Sequence, residues 1–192
     1  MGGAGILPVA MHRSKLYYLF GKENMYEYSA PGFADFGGTQ MNPKETQMET
    51  AIRESSEELT GFLGDKEAMR ELIMKKGNYA VDYKRYRTYI VPIKYDKKLE
   101  YYFNNNMRYV LSKLPPKVVA NTTIFEKQEI RWVCEDDLMH MRDEFRVFYR
   151  HIVDKVHKDR KKISIFVRGS FPGKTRKRRQ RLRKKTMRKT KS

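Results

Sequence analysis

Residues Gly37–Gly61 read GGTQMNPKETQMETAIRESSEELTG, and within them Arg53-Glu54-Ser55-Ser56-Glu57-Glu58, with Glu45 eight positions before Arg53, decides how the chain is read. The spacing predicts a helix over residues 45–59. At roughly 100° per residue, Glu54, Glu57 and Glu58 share one face, being three and four positions apart. Met48, Ala51, Ile52, Ser55 and Leu59 form a second face suited to burial. Three like charges on one face destabilise a helix unless positive charge sits among them. Arg53 alone does not balance three carboxylates. A divalent cation does, and an oxygen-rich site suits Mg²⁺ or Mn²⁺. Taken by itself, an E-x-x-E-E pattern is more commonly a solvated acidic helix face.

The surroundings separate these readings. A Gly37-Gly38 pair leads in, Glu45 stands at fixed spacing before Arg53-Glu54, and Gly61 falls where a helix stop belongs. This ensemble resembles the Nudix box of the Nudix hydrolases, G-x5-E-x7-R-E-U-x-E-E-x-G-U with U aliphatic. Glu45-x7-Arg53-Glu54-x-x-Glu57-Glu58 matches it without a gap. Three departures stand out. Gly38 is one residue too far from Glu45, Ser55 replaces the aliphatic residue, and Leu59-Thr60 separate Glu58 from Gly61 where the family has one residue. None of them removes a carboxylate.

The resemblance implies Glu54, Glu57 and Glu58 as metal ligands, with Glu57, Glu58 and Arg53 in the catalytic set. Arg53 would orient the carboxylates, and Glu45 would support the site or bind metal through water. Gly37 and Gly38 would let backbone approach a diphosphate. A general base or further ligand comes from outside the box in this family. Glu126 and Glu129, ahead of Trp132, are the candidates, and the position of the catalytic Glu in decapping members favours Glu126. The implied fold is α/β, an α/β/α sandwich around a mixed β-sheet.

Composition bounds the rest. A length of 192 residues suits one domain and an appendage, and 13 Tyr with 10 Phe supply a core. The single Cys134 excludes an internal disulfide framework and fits a reducing, intracellular setting. No apolar run of membrane-spanning length and no signal-peptide pattern occurs, so a cytoplasmic protein without a membrane partner is expected. Of 41 Lys and Arg, 16 lie in residues 160–192, which hold no acid, so the net charge of +18 falls to +2 over residues 1–159. A domain over 1–160 and a disordered basic tail over 161–192 follow, with Phe171-Pro172-Gly173 marking the boundary of the densest basic run.

Along the chain, Gly5–Ala10 and Leu16–Phe20 read as strands joined at His12-Arg13-Ser14, with Gly21-Lys22-Glu23 a turn. Residues 26–35 read as irregular, and 34–38 as a strand end running into a glycine turn. Residues 65–76 read as a helix capped by Asp65 and stopped by Gly77. Arg85–Ile93 and Glu129–Val133 read as strands, Asp96–Leu114 and Asp143–Val156 as helices. Pro92 suggests an edge or a strand end. Trp132 and Cys134 read as core, and the four His show no ligand spacing. The Tyr-rich segments Tyr26-Tyr28, Tyr83-Tyr86-Tyr89 and Tyr101-Tyr102 suit either base stacking or sheet cover.

The tail is the last element. Residues 174–192 hold 12 Lys and Arg in 19 positions, among them Lys174, Arg176, Lys177, Arg178, Arg179, Arg181, Arg183, Lys184 and Lys185. Such a run serves solubility or nuclear import, or it clamps a polyanion by counterion release. A near-neutral catalytic body gains little from it on small substrates, which favours RNA. The leading expectation is therefore a hydrolase that removes the 5′ cap of mRNA as m7GDP and leaves 5′-monophosphate RNA. The loose resemblance of residues 34–76 to Nudix proteins of large DNA viruses points the same way. The rivals are a hydrolase of small nucleoside or inositol pyrophosphates with a targeting tail, and an RNA-binding module on a Nudix fold. Oligomeric state is open at this level.

Overall fold

The computed structural model describes residues 1–24, 31–120 and 126–171. Tyr26, Tyr28 and the basic run from Lys174 onward lie outside the described residues.

In chain order the elements are β1 (Gly3–His12), β2 (Lys15–Glu23), β3 (Phe33–Ala34), β4 (Phe36–Thr39), α1 (Gln47–Glu58), α2 (Lys66–Lys76), β5 (Tyr79–Tyr83), β6 (Tyr86–Pro92), α3 (Lys97–Lys113), α4 (Pro116–Ala120), β7 (Lys127–Cys134) and α5 (Arg150–Ser170), with a 3₁₀ turn at Arg142–Glu144 before α5. The strands form one mixed sheet of order β3-β2-β1-β6-β5, with β4 on β1 and β7 on β2. Only β1 and β6 among these pairs run parallel.

The two-residue alternation of β1 builds the layers. Ala4, Ile6 and Ala10 face α1, α2 and α3, where Ala51, Ile52, Met69, Ile73, Phe103 and Met107 are buried. Leu7 and Val9 face α5 and its Ile152, Val153, Val156, Ile163 and Val167. The α/β/α sandwich around a mixed sheet is thus as expected, with Trp132 and Cys134 in its interior.

Several local readings need correction. Gly21-Lys22-Glu23 is strand rather than turn, because β3 and β7 both pair with β2 there and Glu23 is buried against cations. The turn lies only at Arg13 and Ser14, both at positive φ, as a two-residue hairpin loop requires. Gly37 and Gly38 lie inside β4, paired with Gly5 and Ala4, not in a turn. Pro92 is a strand end, one of its two readings, but not an edge, since its strand is interior, flanked by β1 and β5. Pro116 opens α4, where a missing N–H costs nothing.

The helix α5 crosses the boundary read at 160. Phe145 leaves the expected helix to bridge Phe33, so α5 begins later and runs to Ser170. Residues 161–170 belong to the folded body. Ile163 and Val167 continue the stripe of Val156 at helical spacing and are fully buried, an apolar signal masked by the surrounding Lys and Arg. The end of α5 is docked on α2: Ser170 Oγ donates to the Lys76 carbonyl at 2.9 Å, and Lys76 Nζ lies 3.9 Å from the Phe171 ring centre.

Candidate active site

The helix α1 is held at its start by a capping box, in which Thr46 accepts from the Glu49 amide and Glu49 accepts from the Thr46 amide. Its buried side carries Thr50, Ala51, Ile52 and Ser55. Ser55, polar where the family has an aliphatic residue, satisfies itself by donating to the Ile52 carbonyl at 3.1 Å. The extra residue before Gly61 is absorbed by a left-handed pair, Thr60 at φ 48° and Gly61 at φ 79°.

With that face fixed, Glu54 and Glu58 project one turn apart toward the sheet. Glu126, immediately before β7, meets them: one oxygen from each of the three carboxylates lies within 4.8 Å of the others. The backbone of Glu126 is placed by the Asn24 amide, which donates to its carbonyl at 2.7 Å. Of the two outside candidates, the structure thus brings Glu126 to the cluster, while Glu129 accepts from Arg131 at 2.7 Å. Glu57 is not brought in. Its side chain is half exposed and pairs with Lys66 Nζ at 2.9 Å. Arg53 occupies the orienting position, donating to Glu45 at 2.9 Å, lying 2.9 Å from Glu54 and reaching the Thr39 carbonyl of β4 at 3.3 Å. That bond holds the Glu45 carboxyl down at about 2, and keeps Glu45 on Arg53 rather than in the cluster.

Sequence reading missed the groups beneath. Lys127 is fully buried, its Nζ 2.5 Å from Glu23 Oε1 and 3.0 Å from Glu58 Oε1. Arg146 Nη1 also donates to Glu23, at 2.8 Å. Burial pulls the Lys127 ammonium down, but Glu58 and Glu23 together hold it above its ordinary value. Asp35, also buried, accepts from Tyr86 at 2.8 Å and Thr88 at 2.7 Å, and burial pushes its carboxyl up to about 6. The available signals were small: an acid inside the apolar run Phe33-Ala34-Asp35-Phe36, and a lysine at an inward position of a strand.

Electrostatics single out the cluster. Burial raises the carboxyls of Glu54 and Glu126, and raises Glu58 well above the usual range despite Lys127. Glu58 Oε2 is buried without a hydrogen-bond partner among the described residues. Three crowded, desolvated carboxylates with a free buried oxygen form an all-oxygen donor set that fits Mg²⁺ or Mn²⁺. A Cβ on Gly38 would collide with the Glu54 carboxylate and push it from its place, and one on Gly37 would meet Gly5 and Tyr86. Both glycines border a cleft of about 770 Å³ whose other wall includes Tyr83, Arg146 and Phe148.

No family model matches the chain. A stretch of 56 residues is 43% identical to an uncharacterized protein of Acanthamoeba polyphaga mimivirus, covering 29% of this chain and only 18% of that protein. Among solved structures, the chain is similar to a Nudix hydrolase from M. smegmatis, RenU, at TM-score 0.50 and 15% identity, over 85% of this chain and 88% of that one. It is similar also to a C. elegans Ap4A hydrolase in a binary complex, at TM-score 0.50 and 16% identity, over 87% and 98% of the two chains. The fold is that of the Nudix hydrolases.

Proposed function

We propose that the chain is a metal-dependent pyrophosphohydrolase of nucleotide substrates whose principal substrate is the 5′ cap of mRNA. The observation that carries the hydrolase reading is the convergence of Glu54, Glu58 and Glu126, from two separate elements, onto one point beside an open cleft. Helix-face acids left to solvent have no reason to meet a third carboxylate from a strand entry, nor to be desolvated.

Glu54, Glu58 and Glu126 would hold Mg²⁺ or Mn²⁺. When bound, such an ion neutralises charge on the phosphoanhydride and lowers the pKa of a water. The chain's own residues do the rest. Arg53 fixes Glu54 from one side, and Lys127 fixes Glu58 from beneath. Glu126 offers one oxygen to the cluster, and its other carboxylate oxygen is suited to take the proton of the attacking water. The water oxygen bonds to one phosphorus, the bridging P–O bond breaks, and the bridging oxygen leaves on the other fragment.

The cap reading rests on the basic run of residues 174–192. Lys155, Lys158, Lys161 and Arg168 add exposed positive charge along α5, continuous in sequence with that run. A long polyanion uses such charge, and a free dinucleotide uses little of it. A second reading, hydrolysis of free dinucleoside polyphosphates, is supported by the likeness to an Ap4A hydrolase over 98% of that chain.

Cap-labelled RNA and Ap4A, each with Mg²⁺ or Mn²⁺, separate the two. The cap reading expects m7GDP release that vanishes in Glu58→Gln and drops steeply on truncation after Phe171 or at higher salt. Turnover of Ap4A alone, indifferent to truncation, would replace it with the second reading. Turnover of neither would leave a binding module.

A further inference from the structure

The cleft beside the carboxylate cluster has walls that the hydrolysis step does not use. It lies between the start of β1, the glycines of β4, the β5–β6 turn and the segment leading into α5. Its volume of about 770 Å³ falls in the range of small-molecule sites. Phe148 stands in its wall, edge-on to Tyr86 with ring centres 5.4 Å apart, and the Arg146 guanidinium lies over it at 5.2 Å. Tyr83 and His151 form a second flat surface, stacked at 4.4 Å with their planes 18° apart. Lys84, Arg85 and Arg146 bring positive charge, and no Asp or Glu lies among the described residues lining the cleft.

Arg146 connects this cleft to the cluster. One of its nitrogens donates to Glu23, which shares Lys127 with Glu58. Its Nε is buried with no hydrogen-bond partner among the described residues. A cation fixed at one end, bare at another and laid over an aromatic ring is placed for an anion attached to a flat ring system.

Resting on the nucleotide-substrate reading above, we propose that this cleft holds the nucleoside end of the substrate, with its base against Phe148 and the Tyr83–His151 pair. Arg146, Lys84 and Arg85 then meet its phosphates on the way to Glu54, Glu58 and Glu126. Flat aromatic walls suit a purine or pyrimidine, because every base offers a π-face. A ligand that is only charge, such as an inositol pyrophosphate, leaves those walls unused.

Binding tests this without turnover. The full-length protein is titrated in EDTA, by equilibrium dialysis, with guanosine and adenosine diphosphate and with inorganic pyrophosphate. The nucleoside diphosphates are expected to bind about tenfold or more tighter than pyrophosphate. Phe148→Ala and Tyr83→Ala are each expected to lose about five- to tenfold of that advantage while leaving pyrophosphate binding unchanged. Phe148→Leu, which keeps bulk but not the ring, guards against a folding defect and should behave like Phe148→Ala. Equal affinity for nucleotide and pyrophosphate, or a base advantage untouched by all three substitutions, would overturn the proposal. A base advantage that behaves as expected in a protein without hydrolytic activity would sink the enzyme reading and keep the cleft.

Discussion

The Lys127 ammonium lies 3.0 Å from Glu58 Oε1, and both side chains are buried. The same ammonium holds Glu23, which in turn holds Arg146, so two acids and two bases close a neutral network under the cluster. A buried pair adds little net stability over an apolar one, but breaking it leaves a charge with no partner. Its value here is geometric: Lys127 occupies one oxygen of Glu58 and leaves the other free. Lys127→Met is therefore expected to cost about 3–5 kcal/mol in urea unfolding. Adding Glu58→Gln and Glu23→Gln to it should recover part of that loss. A Lys127→Met protein as stable as wild type would show the network to be unimportant.

The geometry ranks the acids of the helix, where the sequence motif treats them alike. Glu54, Glu58 and Glu126 share the cluster, and Glu57 spends its charge on Lys66 and Arg53. Each of Glu54→Gln, Glu58→Gln and Glu126→Gln is expected to cut kcat/KM by about a hundredfold or more and to abolish thermal stabilisation by Mn²⁺. Glu57→Gln should cost less than about tenfold and keep the Mn²⁺-induced rise in Tm. Kinetics and thermal melts with and without Mn²⁺ check both. Equal loss in all four variants would mean that Glu57 turns inward when metal binds.

Much of this was legible beforehand because it is local. The acidic helix and the Asp65 cap are set by residues close in sequence, and spacing reveals them; the Thr46 cap and the Arg53–Glu45 pairing are as local but were not read. Gly38 reads as a turn glycine that lets backbone approach a diphosphate; it lies in a strand instead, where Glu54, 16 residues on, takes the space of its Cβ. Glu23, Asp35, Lys127 and Arg146 were not legible as a group. Their partners are 51 to 123 residues away, and a buried charge looks like a surface charge until the sheet register is known.

Asp35 gives the fold a pH dependence of known sign. Burial raises its carboxyl from an ordinary 3.8 to about 6, so the folded chain holds a proton that the unfolded chain has released. Its contribution is full below about pH 3.8 and is lost as pH rises through 6. The loss is about 3 kcal/mol. Against Asp35→Asn, which cannot titrate, wild type should lose stability by about that amount between pH 4 and pH 7 in paired urea melts. Glu45 runs the other way, since Arg53 holds it at about 2 and its contribution disappears only as pH falls from 4.5 toward that value. Glu45→Gln should therefore be felt at pH 7 and matter least near pH 2. A constant gap between wild type and Asp35→Asn at all pH values would mean that Asp35 is not the titrating group.

Where the body ends is the remaining question, and charge and burial answer it differently. Charge placed the boundary at 160, but Ile163 and Val167 are fully buried against the sheet, and Ser170 is bonded to the end of α2. Removing a buried aliphatic side chain costs about 2–5 kcal/mol, so losing both approaches the whole stability of a domain. A chain ending at 160 is expected to unfold or aggregate, while one ending at Phe171 should keep its Tm within a few degrees. The longer truncation isolates the basic run: it should lower affinity for a single-stranded RNA and flatten the dependence of that affinity on salt, because fewer counterions are released. If the chain ending at 160 melts like wild type, the last turns of α5 do not hold the core. If the chain ending at Phe171 keeps both RNA affinity and salt slope, the binding charge lies on the folded body, with the exposed Lys155, Lys158, Lys161 and Arg168 of α5 the first side chains to replace.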